Sequence, residues 1–152
     1  NLRYGKNQDA SEDEILDAIR IAQATELIAN NEAGIDSEIS QGGTNVSGGQ
    51  RQRLSIARAL AKKPQIFIFD DSFSALDFRT DAKLRQALRE ELAGRTMLIV
   101  AQRINTIMYA DNIVVLDQGK IVGMGTHKEL LKSCPVYLEI AQSQLSKEEL
   151  AI

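Results

Sequence analysis

An α/β fold follows from three features of the 152 residues. Continuous apolar runs rich in β-branched and aromatic residues occur at "IFIF" (66 to 69), "TMLIV" (96 to 100) and "NIVVL" (112 to 116). Runs of that kind suit strands of a parallel sheet covered on both faces. The stretch between the first two, residues 78 to 92, has the length and texture of a helix, so strand and helix alternate. Two helix-start patterns lie upstream of the first run, which sets a helical region ahead of the α/β region.

Along the chain, Ser11 with Glu14 forms a capping-box pattern ahead of Ile15, Ala18, Ile19 and Ala22, which keep helical spacing. From Asn31 to Gly49 the composition turns polar and glycine-rich, predicting a long irregular connection of the kind that often carries function. Ser47 with Gln50 is a second box, opening a helix through "GQRQRLSIARALAKK" that stops before Pro64. "DQGK" (117 to 120) reads as a hairpin turn into "IVGMG", Thr126 with Glu129 starts a short helix, and "PVYLEIAQSQL" forms the last one. There is no internal repeat and no low-complexity segment.

With 43% hydrophobic and 26% charged residues, the chain suits one globular unit with a real core, or part of one. A net charge of -3 argues against nucleic acid as partner, since phosphate binding calls for a basic excess. Arg51, Arg53, Arg58, Lys62 and Lys63 read mostly as a solvated helix face. The single cysteine, Cys134, has no disulfide partner, which fits a reducing compartment, and its place before Pro135 suggests packing. No apolar run approaches bilayer length. His127 has no second histidine or acid cluster near it, so it reads as structural. The opening "NLRYGK", without initiator methionine or leader, reads as that of a fragment or processed chain.

Two stretches carry the chemistry. "IFIFDD" ends an apolar strand in Asp70 and Asp71, and ligand sites of α/β sheets lie beyond the carboxyl ends of strands. An acid there is more often a turn or helix-cap residue than a metal ligand, so it needs corroboration. "VSGGQ" (46 to 50) puts a serine and two glycines at a helix start, where free N–H groups and the positive dipole end suit a phosphate. An ordinary N-cap with flexible glycines is the other reading.

Taken together, "SGGQ", a helix and then "PQIFIFDDSFSALD" resemble, in order and spacing, the nucleotide-binding domains of ABC transporters. The resemblance identifies Val46, Ser47, Gly48, Gly49 and Gln50 with the signature motif, with Val in place of the usual Leu. It likens residues 66 to 71 to the Walker B strand, and Ser74, Ala75, Leu76 and Asp77 to the D-loop. "NLRYG" resembles the segment after the Q-loop, and "GKIVGMGTHKELL" the closing hairpin and helix. The implied fold is a partial RecA-like P-loop NTPase core with a parallel sheet (64 to 152) plus an ABC-type α-helical subdomain (1 to 63). "DSEISQGG" is similar to the loop that exporters use to touch the coupling helices of their membrane domains, which makes Glu38 and Gln41 coupling candidates, though many exporters have Glu where Gln41 stands.

The resemblance implies ATP and Mg²⁺ as cofactors and a head-to-tail dimer of two such domains. Each ATP then lies between the Walker motifs of one domain and the signature of the other. Ser47, Gly48 and Gly49 are expected to hold terminal-phosphate charge. Asp70 is expected to bind Mg²⁺ directly or through water, and Asp77 to link the two sites.

The sequence departs from the family at three points. Asp71 stands where the family has the catalytic Glu, and one methylene less withdraws the carboxylate by about 1.5 Å. A misplacement of about 1 Å can cost about 10²-fold in rate. Gln102, in "IVAQRINT", stands where the family has its switch histidine and cannot become cationic. No G-x-x-x-x-G-K-[ST] loop occurs, the two Gly-Lys pairs being Gly5-Lys6 and Gly119-Lys120.

The expectation is therefore part of the ATPase domain of an ABC exporter, on the cytoplasmic side of the cell membrane. Its own hydrolytic site, with Asp71 and Gln102 at the catalytic positions, is degenerate. Its signature completes the site of a different subunit, beneath transmembrane domains. By itself the fragment is expected to be inactive and to bind ATP weakly. The alternatives are an active homodimer, a regulatory module with negligible turnover, and a soluble ABC ATPase outside transport.

Overall fold

The computed structural model describes residues 1–4, 10–146 and 148–151, so the Gly5-Lys6 pair and the end of the 1 to 5 segment lie outside the described residues. In chain order come α1 (Glu12–Ile21), α2 (Thr25–Ala29), α3 (Gly48–Ala61), β1 (Ile66–Asp70), α4 (Phe78–Glu91) and β2 (Thr96–Val100). They are followed by α5 (Ile104–Ile107), β3 (Ile113–Asp117), β4 (Lys120–Gly125), α6 (His127–Ser133) and α7 (Pro135–Gln144). All three capping boxes form: Ser11 at α1, Ser47 at α3 and Thr126 at α6. Between α2 and α3 the chain is irregular apart from single 3₁₀ turns at Gly34–Asp36 and Gln41–Gly43, in keeping with its polar, glycine-rich composition.

Contacts group the chain into two compact units, residues 1–100 and 101–152. In the first, β1 and β2 pair in parallel, Ile66 against Thr96 through Asp70 against Val100, with α4 as the crossover. Phe67 and Phe69 point to the buried face, their rings stacked 5.9 Å apart. They share one core with Ile15 and Ile19 of α1, Ile56 of α3 and Leu84 of α4.

The opposite face of this sheet is bare: Ile68 is 68% and Leu98 55% exposed, and Ile66 and Val100 are exposed with them. An apolar run records that each face suits burial, and within this unit helices cover only one.

Arg53 also departs from expectation. Its side chain, 13% exposed, leaves the solvated face and reaches the carbonyl of Gln23 and the carboxylate of Glu26. A guanidinium so placed ties α3 to the turn between α1 and α2, where Gln23 holds a left-handed φ of 56°.

In the second unit β3 pairs antiparallel with β4, the hairpin expected at DQGK. The two-residue connection explains it: Gln118 and Gly119 have φ of 47° and 75°, the geometry of a tight hairpin turn that closes neighbouring strands on each other. Gly123 of β4 lies under α6, since a Cβ there would come within 2.8 Å of the Cys134 sulfur. Cys134 is buried, as its packing role requires.

His127 is buried too, its Nδ1 2.7 Å from the Tyr137 hydroxyl and the two rings edge to face. Burial pushes the Tyr137 hydroxyl up to about 12. Burial first, and then the charge of Lys128, lower the His127 pKa below its ordinary value. A base with a lowered native pKa contributes stability that is present above the unfolded value and is lost as pH falls towards the native one. The thermal midpoint is therefore expected to drop more between about pH 7.5 and about pH 5.5 in the wild type than in His127→Gln, as followed by circular dichroism. An equal drop in both proteins removes His127 from the account.

Candidate functional site

The start of α3 is built by its own sequence. Ser47 Oγ accepts from the Gln50 N–H at 3.2 Å, and Gln50 Oε1 accepts from the Ser47 N–H at 2.8 Å. The Arg51 N–H reaches the Ser47 carbonyl and begins the helical ladder. Box and ladder thus leave the Gly48 and Gly49 amides as first-turn donors without an intrahelical partner. The Ser47 hydroxyl uses a lone pair in the box and keeps its proton to donate elsewhere. Ser47 and Gly48 are exposed, so an anion can reach the positive end of α3. Val46, half-buried, anchors the approach by donating its N–H to the Gly43 carbonyl.

This helix start rests on the 74 to 77 turn of the same chain. A Cβ at residue 49 would come within 3.0 Å of the Ala75 carbonyl oxygen, so glycine permits the approach; at Gly48 the corresponding contact, 3.7 Å to Ala75 Cβ, is ordinary. Leu76 is buried beneath the turn. Asp77 caps α4, its Oδ1 accepting from the Thr80 N–H at 3.0 Å. The N–H and hydroxyl of Thr80 hold its carboxyl below the usual range.

Asp70 ends β1 and is exposed. Asp71 follows with φ of 48°, a left-handed backbone costing about 1–3 kcal/mol for most residues and tolerated best by Asn and Asp after glycine. Its main chain is held on both sides. The N–H donates to the Val100 carbonyl at 3.0 Å, and the carbonyl accepts from Ser74 Oγ at 3.0 Å and Gln52 Nε2 at 3.2 Å.

A cavity of about 450 Å³ opens between α3 and the end of β1, lined by Gly48, Arg51, Gln52, Asp70 and Asp71 among others. Among the described residues no cluster of three or more metal-ligating side chains occurs. A cation there would rest on one or two carboxylates with phosphate and water completing its shell, the arrangement Mg²⁺ favours, and Asp70 at its exposed strand end fits that.

Glu38 and Gln41 line a second cavity, of about 780 Å³, beside the loop before α3. Asn45 stitches this loop: its Nδ2 donates to the Glu38 carbonyl at 2.8 Å and its Oδ1 accepts from the Ser40 N–H at 3.1 Å. Arg51 donates to the Gly42 carbonyl at 3.1 Å. In the second unit Gln102 is exposed ahead of α5. Gln144 fixes that turn, Nε2 donating to the Gln102 carbonyl at 3.0 Å and Oε1 accepting from the Ile104 N–H at 2.9 Å.

Sequence reading missed Gln52, Asn45 and Gln144. For two of them a signal existed. Gln52 shares a helix stripe with the buried Ile56 and Leu60, and Gln144 shares one with the buried Tyr137 and Ala141. A polar side chain on an apolar stripe must find a partner. Asn45 had no signal beyond a polar loop.

An acid-ended strand of a parallel pair, with a glycine-lined helix start packed on the turn that follows it, makes an α/β unit whose exposed helix start suits an anion. Residues 3–74 match the family model described as ABC transporter. An uncharacterized ABC transporter ATP-binding protein of Mycobacterium tuberculosis is 49% identical over 95% of this chain and 25% of its own length. An ATP-dependent lipid A-core flippase of Albidiferax ferrireducens is 44% identical over 95% and 25%. The structure of a bacterial Atm1-family ABC exporter with ATP bound superposes with a TM-score of 0.86 at 38% identity, over 91% of this chain and 24% of that one. The chain belongs to the ABC transporter family. It spans about a quarter of the length of these relatives.

The cap and the hydroxyl can be separated by experiment. Ser47→Ala is expected to cost about 0.5–2 kcal/mol in urea unfolding and Ser47→Gly only a few tenths, although both delete the hydroxyl. Equal losses would show that Ser47 does not cap α3.

Proposed function

We propose that this chain is part of the ATPase domain of an ABC exporter, on the cytoplasmic side of a cell membrane, and that it works in a head-to-tail pair with a second nucleotide-binding domain beneath transmembrane domains. The observation that carries this reading is the exposed start of α3, where Ser47, Gly48 and Gly49 present three donors beyond those the capping box consumes. Preorganised donors at a helix start stabilise terminal-phosphate charge without reorganising. In the proposed pair they face ATP held by the partner domain. Glu38 and Gln41 contact the membrane domains, on a loop stiffened by Asn45 and Arg51.

On the other side of the pair, Asp70 would hold Mg²⁺, which would supply neutralisation of phosphate charge. Asp71 occupies the position of the general base with a side chain one methylene short. Its left-handed backbone suits Asp better than Glu, so the local structure accommodates the shorter acid. Gln102 can hydrogen-bond a phosphate but cannot carry a proton. This chain's own site is accordingly degenerate, and its signature completes a competent site on a different subunit. Asp77, capping α4 here, links the two sites across the pair. The bare apolar face of β1 and β2 is covered in the whole protein, whose relatives are about four times longer.

Steady-state ATPase of the full-length protein without its partner is expected to be slow and little changed by Asp71→Asn. A fast rate that Asp71→Asn abolishes overturns the degenerate site. The 152-residue chain is expected to bind Mg-ATP weakly, and micromolar affinity in titration calorimetry contradicts that expectation.

A further inference from the structure

The Gln52 side chain uses every hydrogen-bonding atom it has on one loop. Nε2 donates to the Asp71 carbonyl at 3.2 Å and to Ser74 Oγ at 3.1 Å, while Oε1 accepts from the Ala75 N–H at 3.0 Å. The pattern also fixes the amide orientation, since the flipped form sets NH₂ against an N–H and oxygen against a carbonyl. No other side chain meets the demand. Glu lacks the donors, Lys lacks the acceptor, and Asn is shorter by about 1.5 Å. At Asp71 the contact falls on a residue whose left-handed backbone needs support from its surroundings. Five residues upstream on the same helix lies Ser47, so one rigid element carries both the phosphate donors and the brace on the acid loop.

We propose that Gln52 is a positioning residue: it sets the main chain of the Asp71 to Ala75 loop against the start of α3, so that the signature donors and the acid loop move as one body. This rests on the ATPase reading for its consequence in turnover, but not for its consequence in structure. It touches no reacting atom, and its effect passes through the backbone of residues 71 to 75.

The test uses the full-length protein, purified in nanodiscs with the partner it carries, and compares wild type, Gln52→Leu and Gln52→Glu. Hydrogen exchange in peptides spanning 71 to 76 is expected to quicken about tenfold in Gln52→Leu, with peptides from 54 to 61 unchanged. Gln52→Glu, which keeps the acceptor for the Ala75 N–H, is expected to fall between the two. In turnover of the pair, whose competent site is served by the signature donors seated on this loop, kcat is expected to drop about 10- to 100-fold in Gln52→Leu while KM for Mg-ATP stays within about twofold. Unchanged exchange at 71 to 76 overturns the proposal, as does a rise spread through α3, which marks a general packing role. A rise in KM with kcat unchanged also overturns it. If the wild type itself shows no ATPase above background, the ATPase reading fails, and the exchange comparison still decides the role of Gln52.

Discussion

The start of α3 is the constraint on which the rest depends. Four N–H groups at any helix start lack carbonyl partners, and something must take them up. Here the box between Ser47 and Gln50 consumes two while the ladder begins at Arg51, and the glycines keep theirs. Because Gly49 has no Cβ, the same turn of helix can lie against the Ala75 carbonyl. One local arrangement therefore ends the long loop, exposes anion donors and seats the turn that follows the acid-ended strand.

From that seat the side chains of α3 reach in two directions. Gln52 holds the loop of residues 71 to 75, and its neighbour Arg53 holds the turn after α1. Adjacent helical residues point about 100° apart, which lets one short stretch join two regions distant in sequence. Gln144 does the same service for the Gln102 turn in the second unit. In each case an amide or guanidinium long enough to reach main-chain carbonyls stands at the end of an apolar stripe.

The two sheets differ by the physics of their connections. A helical crossover of α4 length gives β1 and β2 a parallel pairing, whereas a two-residue turn leaves β3 no partner so near as β4. Phe67 and Phe69 spend the apolar character of β1 on one face, and Ile66 and Ile68 keep it on the other. Alternation along the strand guarantees that both faces are apolar in sequence, but it does not say what lies against each.

The amino-acid sequence by itself determined whatever depends on neighbours a few residues away. The three capping boxes, the stop before Pro64, the DQGK hairpin and the strand ending in Asp70 and Asp71 are of this kind, because caps, turns and periodicity are short-range interactions. So were the motifs that carry the family resemblance, since their order and spacing are properties of the chain. Only the tertiary structure decided the bare face of β1 and β2, the departure of Arg53 from the solvated face, and the braces made by Gln52 and Gln144. These join residues tens of positions apart. A polar side chain's partner there is fixed by packing, which no local pattern encodes.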